Sequence, residues 1–234
     1  GQGVLLIIKN YSGDIMNFEM AAELAGMEGI QTETVVVRDD VAVPNSTYST
    51  GRRGIAGTVF VHKIAGAAAE AGKTLTEVKA AAQKAIDNVR SMGMAMTPCI
   101  LPAVGTPGFT LEDSEVEIGM GIHGEPGVSR EALVPARQLA EKLVGRILED
   151  YDYSGSEVAV MVNGLGGTPL MELYILYSEV EAILTGKGIQ IYRPFVGNYM
   201  TSLEMAGCSV TLLKLDEELK GYLDAPSAAP AFRV

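Results

Sequence analysis

The beginning of the chain alternates between short apolar runs and a helical segment, and this order constrains the fold more than any other feature. Residues 4–8 form an apolar run of strand length, residues 32–37 form a second strand-like segment that ends in three valines, and residues 18–27 between them have helical composition. This strand–helix–strand order predicts a parallel sheet. Ligands of such sheets bind beyond the carboxyl ends of the strands, which here are the polar segments 9–14 and 39–40.

The rest of the chain continues the alternation and predicts an α/β protein of two lobes. Helices are expected at about 57–71, 74–91, 130–148 and 169–184, and strands near 115–118, 158–162, 189–193 and 209–215. Prolines and glycines accumulate over 92–108, so residues 1–90 are expected to form the C-terminal part of a first lobe and 91–234 a second α/β lobe. The first lobe should hold a parallel or mixed sheet that is incomplete at its N-terminus, because a strand at the very start of the chain has no preceding neighbour.

Charge and composition exclude several classes of protein. The formal net charge of −11 repels phosphate backbones and anionic lipid surfaces, so neither nucleic acid nor membrane is an expected partner. No apolar stretch approaches the roughly 20 residues that cross a bilayer and no signal peptide is recognisable, which predicts a cytoplasmic protein. Cys99 and Cys208 are expected to be buried thiols, with neither a disulfide nor a metal site.

Residues 67–74, Ala-Ala-Ala-Glu-Ala-Gly-Lys-Thr, satisfy a loose form of the phosphate-binding P-loop. A working P-loop follows a buried strand and curls its backbone around phosphate with several glycines, whereas this segment follows an alanine-rich helix. Gly72 is placed to end that helix, and Thr74 with Glu77 predicts a capping box that begins the next one. We therefore interpret the segment as a connection between two helices.

Residues 119–127, Gly-Met-Gly-Ile-His-Gly-Glu-Pro-Gly, place one of the chain's two histidines among glycines. Glycine lets a ligand approach the backbone, and imidazole is the side chain best suited to nucleophilic or acid–base chemistry near neutral pH. This composition is typical of a reactive site at His123, but for an isolated segment of this kind a plain glycine-rich turn is the favoured interpretation, and the other segments of the chain reverse that order. The other histidine, His62, lies on a predicted helix and is interpreted as a structural or surface residue.

Lys9 and Asp14 flank the predicted end of the first strand, so an ammonium and a carboxylate project from one edge of the sheet. That placement suits proton abstraction or anion binding. It is equally compatible with an aspartate that stabilises the start of a helix and a solvated lysine.

Taken together, these segments resemble the dihydroxyacetone-binding subunit (DhaK type) of dihydroxyacetone kinases over the whole chain. The resemblance is specific because five motifs occur in the same order. They are residues 9–18 (KNYSGDIMNF), 51–58 (GRRGIAGT), 119–127 (GMGIHGEPG), 163–170 (NGLGGTPL) and 224–226 (DAP).

The resemblance implies a phosphotransferase site. It implies that His123 binds the ketone covalently as a hemiaminal, that Asp14 is the base for the hydroxyl to be phosphorylated, and that Lys9 contacts the substrate. Addition to a carbonyl selects ketoses over polyols such as glycerol, which have no carbonyl. The family's amino-terminal segment GGGSGHEP, which supplies another active-site histidine, does not occur in the sequence.

The resemblance also implies partners. It places no cofactor on this chain: Mg-ADP or Mg-ATP belongs to a helical, nucleotide-binding L subunit, which is recharged from phosphoenolpyruvate through the phosphotransferase system or exchanges ATP. It implies a homodimer, and the long polar loop over 46–53 is where we expect the partner contact. Two alternatives stay open, namely a non-enzymatic dihydroxyacetone sensor and a kinase subunit for a related short ketose such as erythrulose.

Overall fold

The expected strand–helix–strand start is present in the computed structural model of the chain, which describes residues 1–43, 51–125 and 127–234. Strands β1 (Val4–Lys9) and β2 (Thr32–Val37) pair in parallel, and helix α1 (Ser12–Met27) connects them. The helix begins at Ser12 rather than at residue 18. Its residues are all at least partly exposed, so α1 lies on the surface of the first sheet instead of inside the protein.

Two helices follow, α2 (Thr58–Glu70) and α3 (Leu75–Asn88). Gly72, just beyond α2, has a positive φ of 77°, which glycine adopts without strain at the end of a helix. The Thr74 side chain accepts a hydrogen bond from the backbone N–H of Glu77, and the Glu77 carboxylate accepts one from the backbone N–H of Thr74. The predicted capping box is therefore confirmed, and the P-loop-like residues 67–74 connect two helices.

The segment after α3 corrects our expectation of a helix to residue 91 followed by an irregular region. Residues 89–95 form strand β3 (Val89–Ala95), which lies inside the second sheet. The later elements are β4 (Glu115–Ile118), β5 (Ser129–Ala132), α4 (Ala136–Asp150), β6 (Glu157–Gly164), α5 (Leu170–Gly186), β7 (Gln190–Gly197), β8 (Gly207–Leu215), α6 (Glu217–Asp224), β9 (Ala228–Ala229) and β10 (Phe232–Arg233).

The second sheet is mixed. Among the described residues it has six strands in the order β5-β4-β3-β8-β6-β7, in which β6 and β7 are the only neighbouring strands that pair in parallel. The helix expected at 130–148 begins instead at Ala136, because residues 129–132 pair with β4 as an edge strand. The predicted α/β class with parallel and mixed sheets is confirmed.

Apolar packing crosses residue 90, where we predicted a lobe boundary. One buried cluster contains Val35, Phe60 and Ile64 from the first part of the chain together with Met161 and Leu213 from the second. The division into 1–90 and 91–234 stays a prediction. In the described part of the chain, no helix is long and apolar enough to cross a membrane.

The buried Lys63 of α2 holds the end of α6. Its ammonium donates to the carbonyl oxygens of Tyr222 and Ala225, at 2.8 and 2.5 Å, where a cation also stabilises the helix dipole. Replacing Lys63 by methionine removes both bonds, so we expect the free energy of unfolding to fall by about 1–3 kcal/mol. Urea denaturation measures this, with the exposed Lys73→Met as the control, and equal stability of the two variants would contradict the role of Lys63.

Candidate active site

The segment after β1 is tied to the Gly51–Gly54 segment by a buried asparagine. The Asn10 amide donates to the carbonyl oxygen of Arg52 at 2.7 Å, and the Asn10 backbone donates to Val37 at the end of β2. Gly54 packs against the same strand ends, and a Cβ there would lie 2.9 Å from the Lys9 Cα. The first two motifs therefore form one rigid edge beyond the carboxyl ends of β1 and β2.

Arg53 connects this edge to the histidine segment. Its Nε donates to Asp40 Oδ2 at 2.7 Å, and its Nη2 donates to the carbonyl oxygen of Gly119 at 2.6 Å. Asp40 is fully buried, and burial raises the pKa of its carboxyl to about 6 although the positive charge of Arg53 opposes the rise. The guanidinium therefore fixes the first residue of the histidine segment relative to β2.

Asp39 and Asp40, expected as residues of a ligand-facing loop, lie inside the scaffold instead. Asp39 is fully buried and accepts hydrogen bonds from the backbones of Ile55 and Gly57, each at 2.8 Å. It thereby shapes the turn that leads into α2. The two carboxylates organise loops around the site and do not face it.

His123 is oriented by Glu125. Its Nδ1 lies 2.8 Å from Glu125 Oε1, and its backbone N–H donates to Oε2 at 3.1 Å. Burial alone would raise the pKa of the Glu125 carboxyl, but the hydrogen bonds from His123 hold that pKa below its ordinary value. Since an ionised carboxylate only accepts, the proton of a neutral imidazole is on Nδ1 and the lone pair is on Nε2.

Gly121 makes this contact possible, because a Cβ at that position would overlap the Glu125 carboxylate. The side chain at position 121 must be absent for the carboxylate to fold back onto His123. This steric requirement explains why position 121 is a glycine, which the motif alone did not reveal.

Tyr11 brings the two predicted halves of the site together. Its ring meets the imidazole of His123 edge to face, with the ring centroids 4.7 Å apart and the planes at 74°. The Lys9 ammonium lies 6.0 Å from the centre of the same ring, and Asp14 is in the first turn of α1. The Lys9 ammonium and the His123 imidazole therefore lie beside the same ring, and Asp14 follows Tyr11 by three residues in the chain.

A small apolar cluster forms the floor beneath His123. Its buried members include Met120 and Ile122 of the histidine segment, Leu165 of the fourth motif, Ile55 and Cys99. The cluster joins three motifs below the site. The NGLGGTPL motif thus supports the histidine segment from the end of β6.

The model of the Dak1 domain family matches residues 1–231. The chain belongs to the Dak1 family. The dihydroxyacetone-binding subunit DhaK of a PTS-dependent dihydroxyacetone kinase from Listeria innocua is 55% identical over 219 residues, 93% of this chain and 67% of that relative. The Dak1 chain thus spans about two thirds of the length of this relative.

Two solved structures share the Dak1 fold and are also similar to this chain in sequence, at 35% and 38% identity. A dihydroxyacetone kinase operon co-activator, DhaQ, superposes with a TM-score of 0.91 at 35% identity, covering 97% of this chain and 70% of the co-activator. The native dihydroxyacetone kinase of C. freundii superposes with a TM-score of 0.85 at 38% identity, covering 94% of this chain and 40% of the kinase.

Some predicted elements of this Dak1 site lie elsewhere or outside the described residues. The DAP motif contacts α2 and β7: Asp224 pairs with Arg193 at 3.1 Å, and Ala225 accepts from Lys63. His62 is on α2 and exposed, as expected. Most of the loop predicted for partner contact, residues 46–50, lies outside the described residues.

Sequence reasoning assigned no separate role to Glu125, Arg53 or Tyr11, although all three are within the recognised motifs. The sequence offered one signal for each of them. Glu125 is two residues after His123, Tyr11 is three residues before Asp14, and Arg53 belongs to a pair of arginines. Only the folded loops bring the Arg53 guanidinium and the Tyr11 ring to the histidine segment of this Dak1 chain and turn the Glu125 carboxylate onto His123.

Replacing Arg53 by methionine should strongly destabilise this Dak1 domain. The side chains of Arg53 and Asp40 are only 11% and 0% exposed, and removing one partner leaves a buried charge alone, so we expect a loss of about 3–5 kcal/mol in the free energy of unfolding. Denaturant titration gives the value. Arg137→Met, which breaks an ion pair with 71% and 52% exposed side chains, should cause no measurable loss, and a similar loss in both variants would contradict the buried pair's role.

Proposed function

We propose that the chain is the dihydroxyacetone-binding part of a dihydroxyacetone kinase, in which His123 binds the ketose covalently and a partner protein supplies the phosphoryl group. The observation that carries this proposal is the 2.8 Å contact between His123 Nδ1 and Glu125. In a neutral imidazole this contact leaves the lone pair on Nε2, the proposed nucleophile, on a half-exposed ring. The identity to dihydroxyacetone-binding subunits supports the same substrate.

The covalent step is an addition without a leaving group. The Nε2 lone pair forms a bond to the carbonyl carbon of the ketose, and the π electrons of the carbonyl move to its oxygen. That oxygen becomes a hydroxyl by taking up one proton, while Nδ1 gives up one proton to the Glu125 carboxylate or to water. The product is a hemiaminal, and polyols cannot form it because they have no carbonyl.

Asp14 and Lys9 act on the bound ketose in this proposal. A tethered triose has its terminal hydroxyl within a few ångströms of the imidazole, and Tyr11 connects the imidazole to the segment that carries both residues. The Asp14 carboxylate removes the proton of that hydroxyl as it attacks the phosphoryl group. The Lys9 ammonium contacts the substrate oxygens and offsets negative charge that develops there.

The phosphoryl donor belongs to a partner in this proposal. The L subunit holds Mg-ADP or Mg-ATP, and the reaction is a phosphoenolpyruvate–glycerone phosphotransferase reaction if the bound nucleotide is recharged by the phosphotransferase system. A homodimer that binds two L subunits, in the cytoplasm, completes the proposed assembly. The PTS-dependent relative supports this donor system over free ATP.

Intact-protein mass spectrometry under native conditions tests the covalent step. Incubation with dihydroxyacetone should add the full mass of one ketose molecule, since addition expels no water, and glycerol should add nothing. Erythrulose in a parallel sample shows whether a longer ketose is accepted. A protein whose mass is unchanged by either ketose would exclude the proposal.

A sensor is the second candidate function, and the likeness to the co-activator DhaQ favours it. A sensor needs the tether but not a base, so it would form the adduct without turnover. Assay of the protein with an L subunit and a phosphoryl donor separates the two functions. Formation of dihydroxyacetone phosphate identifies the enzyme, whereas an adduct without product identifies the sensor.

A further inference from the structure

Tyr11 joins the two halves of the proposed site, yet its side chain takes no part in the chemistry above. We propose that Tyr11 is a positioning residue, whose aromatic ring holds the His123 imidazole in the orientation from which Nε2 attacks the ketose. This inference rests on the proposed function for its consequence in binding. The ring contact itself does not depend on any ligand.

The imidazole needs a second restraint because Glu125 holds it at one atom. The side chain of His123 is 53% exposed, so few other groups pack against it. A ring held only through Nδ1 can still rotate about its Cβ–Cγ bond and leave that hydrogen bond, which changes the direction of the Nε2 lone pair and frees the imidazole to adopt either tautomer. The edge-to-face contact with Tyr11, at 74° between the planes, blocks this rotation.

The local backbone frees the Tyr11 ring for this task. Tyr11 immediately precedes α1 in an extended conformation, with φ −128° and ψ 141°, and its side chain makes no capping hydrogen bond to the helix. Aromatic pairs in this geometry contribute about 0.5–1.5 kcal/mol beyond the burial of their area. The contact is therefore strong enough to select one orientation of the imidazole.

The phenol hydroxyl shows that the ring, and not the oxygen, performs the function. The Tyr11 hydroxyl is buried and, among the described residues, has no hydrogen-bond partner. Burial and the negative charge of Glu125 raise the pKa of the phenol above its ordinary value, so the group stays protonated. Since an unpaired buried hydroxyl stabilises nothing, phenylalanine should replace Tyr11 without loss.

Nuclear magnetic resonance of the imidazole nitrogens, recorded without ketose, tests the positioning directly. This chain has only two histidines, so a His62→Gln variant assigns the signals and His62 is the internal control. In the Tyr11→Phe variant both imidazoles should keep their ¹⁵N shifts. In Tyr11→Leu or Tyr11→Met, whichever retains the wild-type melting temperature, the His123 shifts should move toward the average of the two tautomers while those of His62 stay.

Ketose binding provides the second readout. The ketose concentration for half-maximal adduct should rise roughly 3- to 10-fold without the aromatic ring and stay within about twofold in Tyr11→Phe. Unchanged His123 shifts in the variants without a ring, or an equal loss in Tyr11→Phe, would overturn the proposal. If the wild-type protein forms no adduct, the proposed function fails, but the ¹⁵N shifts still decide whether Tyr11 positions His123.

Discussion

Replacing His123 by alanine is expected to abolish the covalent adduct with dihydroxyacetone and to weaken ketose binding by roughly 100-fold or more, because the tether supplies most of the orientation of the substrate. Alanine removes Nε2, and among the described residues His62 is the only other imidazole. The exposed position of His62 on α2, outside the contacts of His123 with Tyr11 and Glu125, makes it no substitute. Intact-mass spectra over a range of ketose concentrations measure the effect.

His62→Ala is the matched control for His123→Ala, since it removes the same side chain from an exposed helical position. It should form the adduct as the wild-type protein does. Equal adduct in the wild type and in His123→Ala would remove His123 from the mechanism. Loss of the adduct in both variants would point to a general effect on the fold, which a thermal melt identifies.

Replacing Asp14 by asparagine should lower turnover by about 10²- to 10⁴-fold, the usual contribution of a general base, while the adduct forms as before. The amide keeps the size of the carboxylate but cannot accept the proton of the ketose hydroxyl. Turnover is measured with a nucleotide-bearing L subunit and a phosphoryl donor, and the adduct by intact mass. The two readouts separate the base from the tether.

Glu19→Gln provides the comparison for Asp14→Asn, because Glu19 is an exposed carboxylate on the same helix. Its turnover should equal that of the wild type. If Asp14→Asn also keeps its turnover, the carboxylate only stabilises the first turn of α1. A small loss of stability, of about 0.3–1 kcal/mol, would then be its whole effect.

The sequence predicted those parts of the fold whose signals are local. The apolar run at the start of β1 and the Thr74 capping box depend on residues within one element, and both were predicted correctly. Strand β3 was not predicted, because it follows α3 without a turn residue and contains Gly93, and glycine is uncommon inside strands. That glycine is required by a distant contact, since a Cβ there would lie 2.9 Å from the carbonyl oxygen of Met120.

In the candidate site, too, the sequence predicted what depends on short segments and missed what depends on contacts between separate segments. His123, Asp14 and Lys9 are recognisable from motifs because their residue types stand out in short segments. The pairing of Arg53 with Asp40 and the ring contact of Tyr11 join residues that are far apart in the chain. Such contacts depend on how the loops pack, so a single sequence identifies the chemical groups but not what holds them.

The apolar cluster that spans residue 90 has a consequence for how the protein melts. Because Val35 of β2 and Leu213 of β8 are buried in the same cluster, neither part of the chain loses its packing without exposing the other. The domain should therefore unfold as one cooperative unit. Calorimetry should give a single heat-absorption peak, and a substitution beside His123 that shifts it will shift the melting of the distant sheet by the same amount.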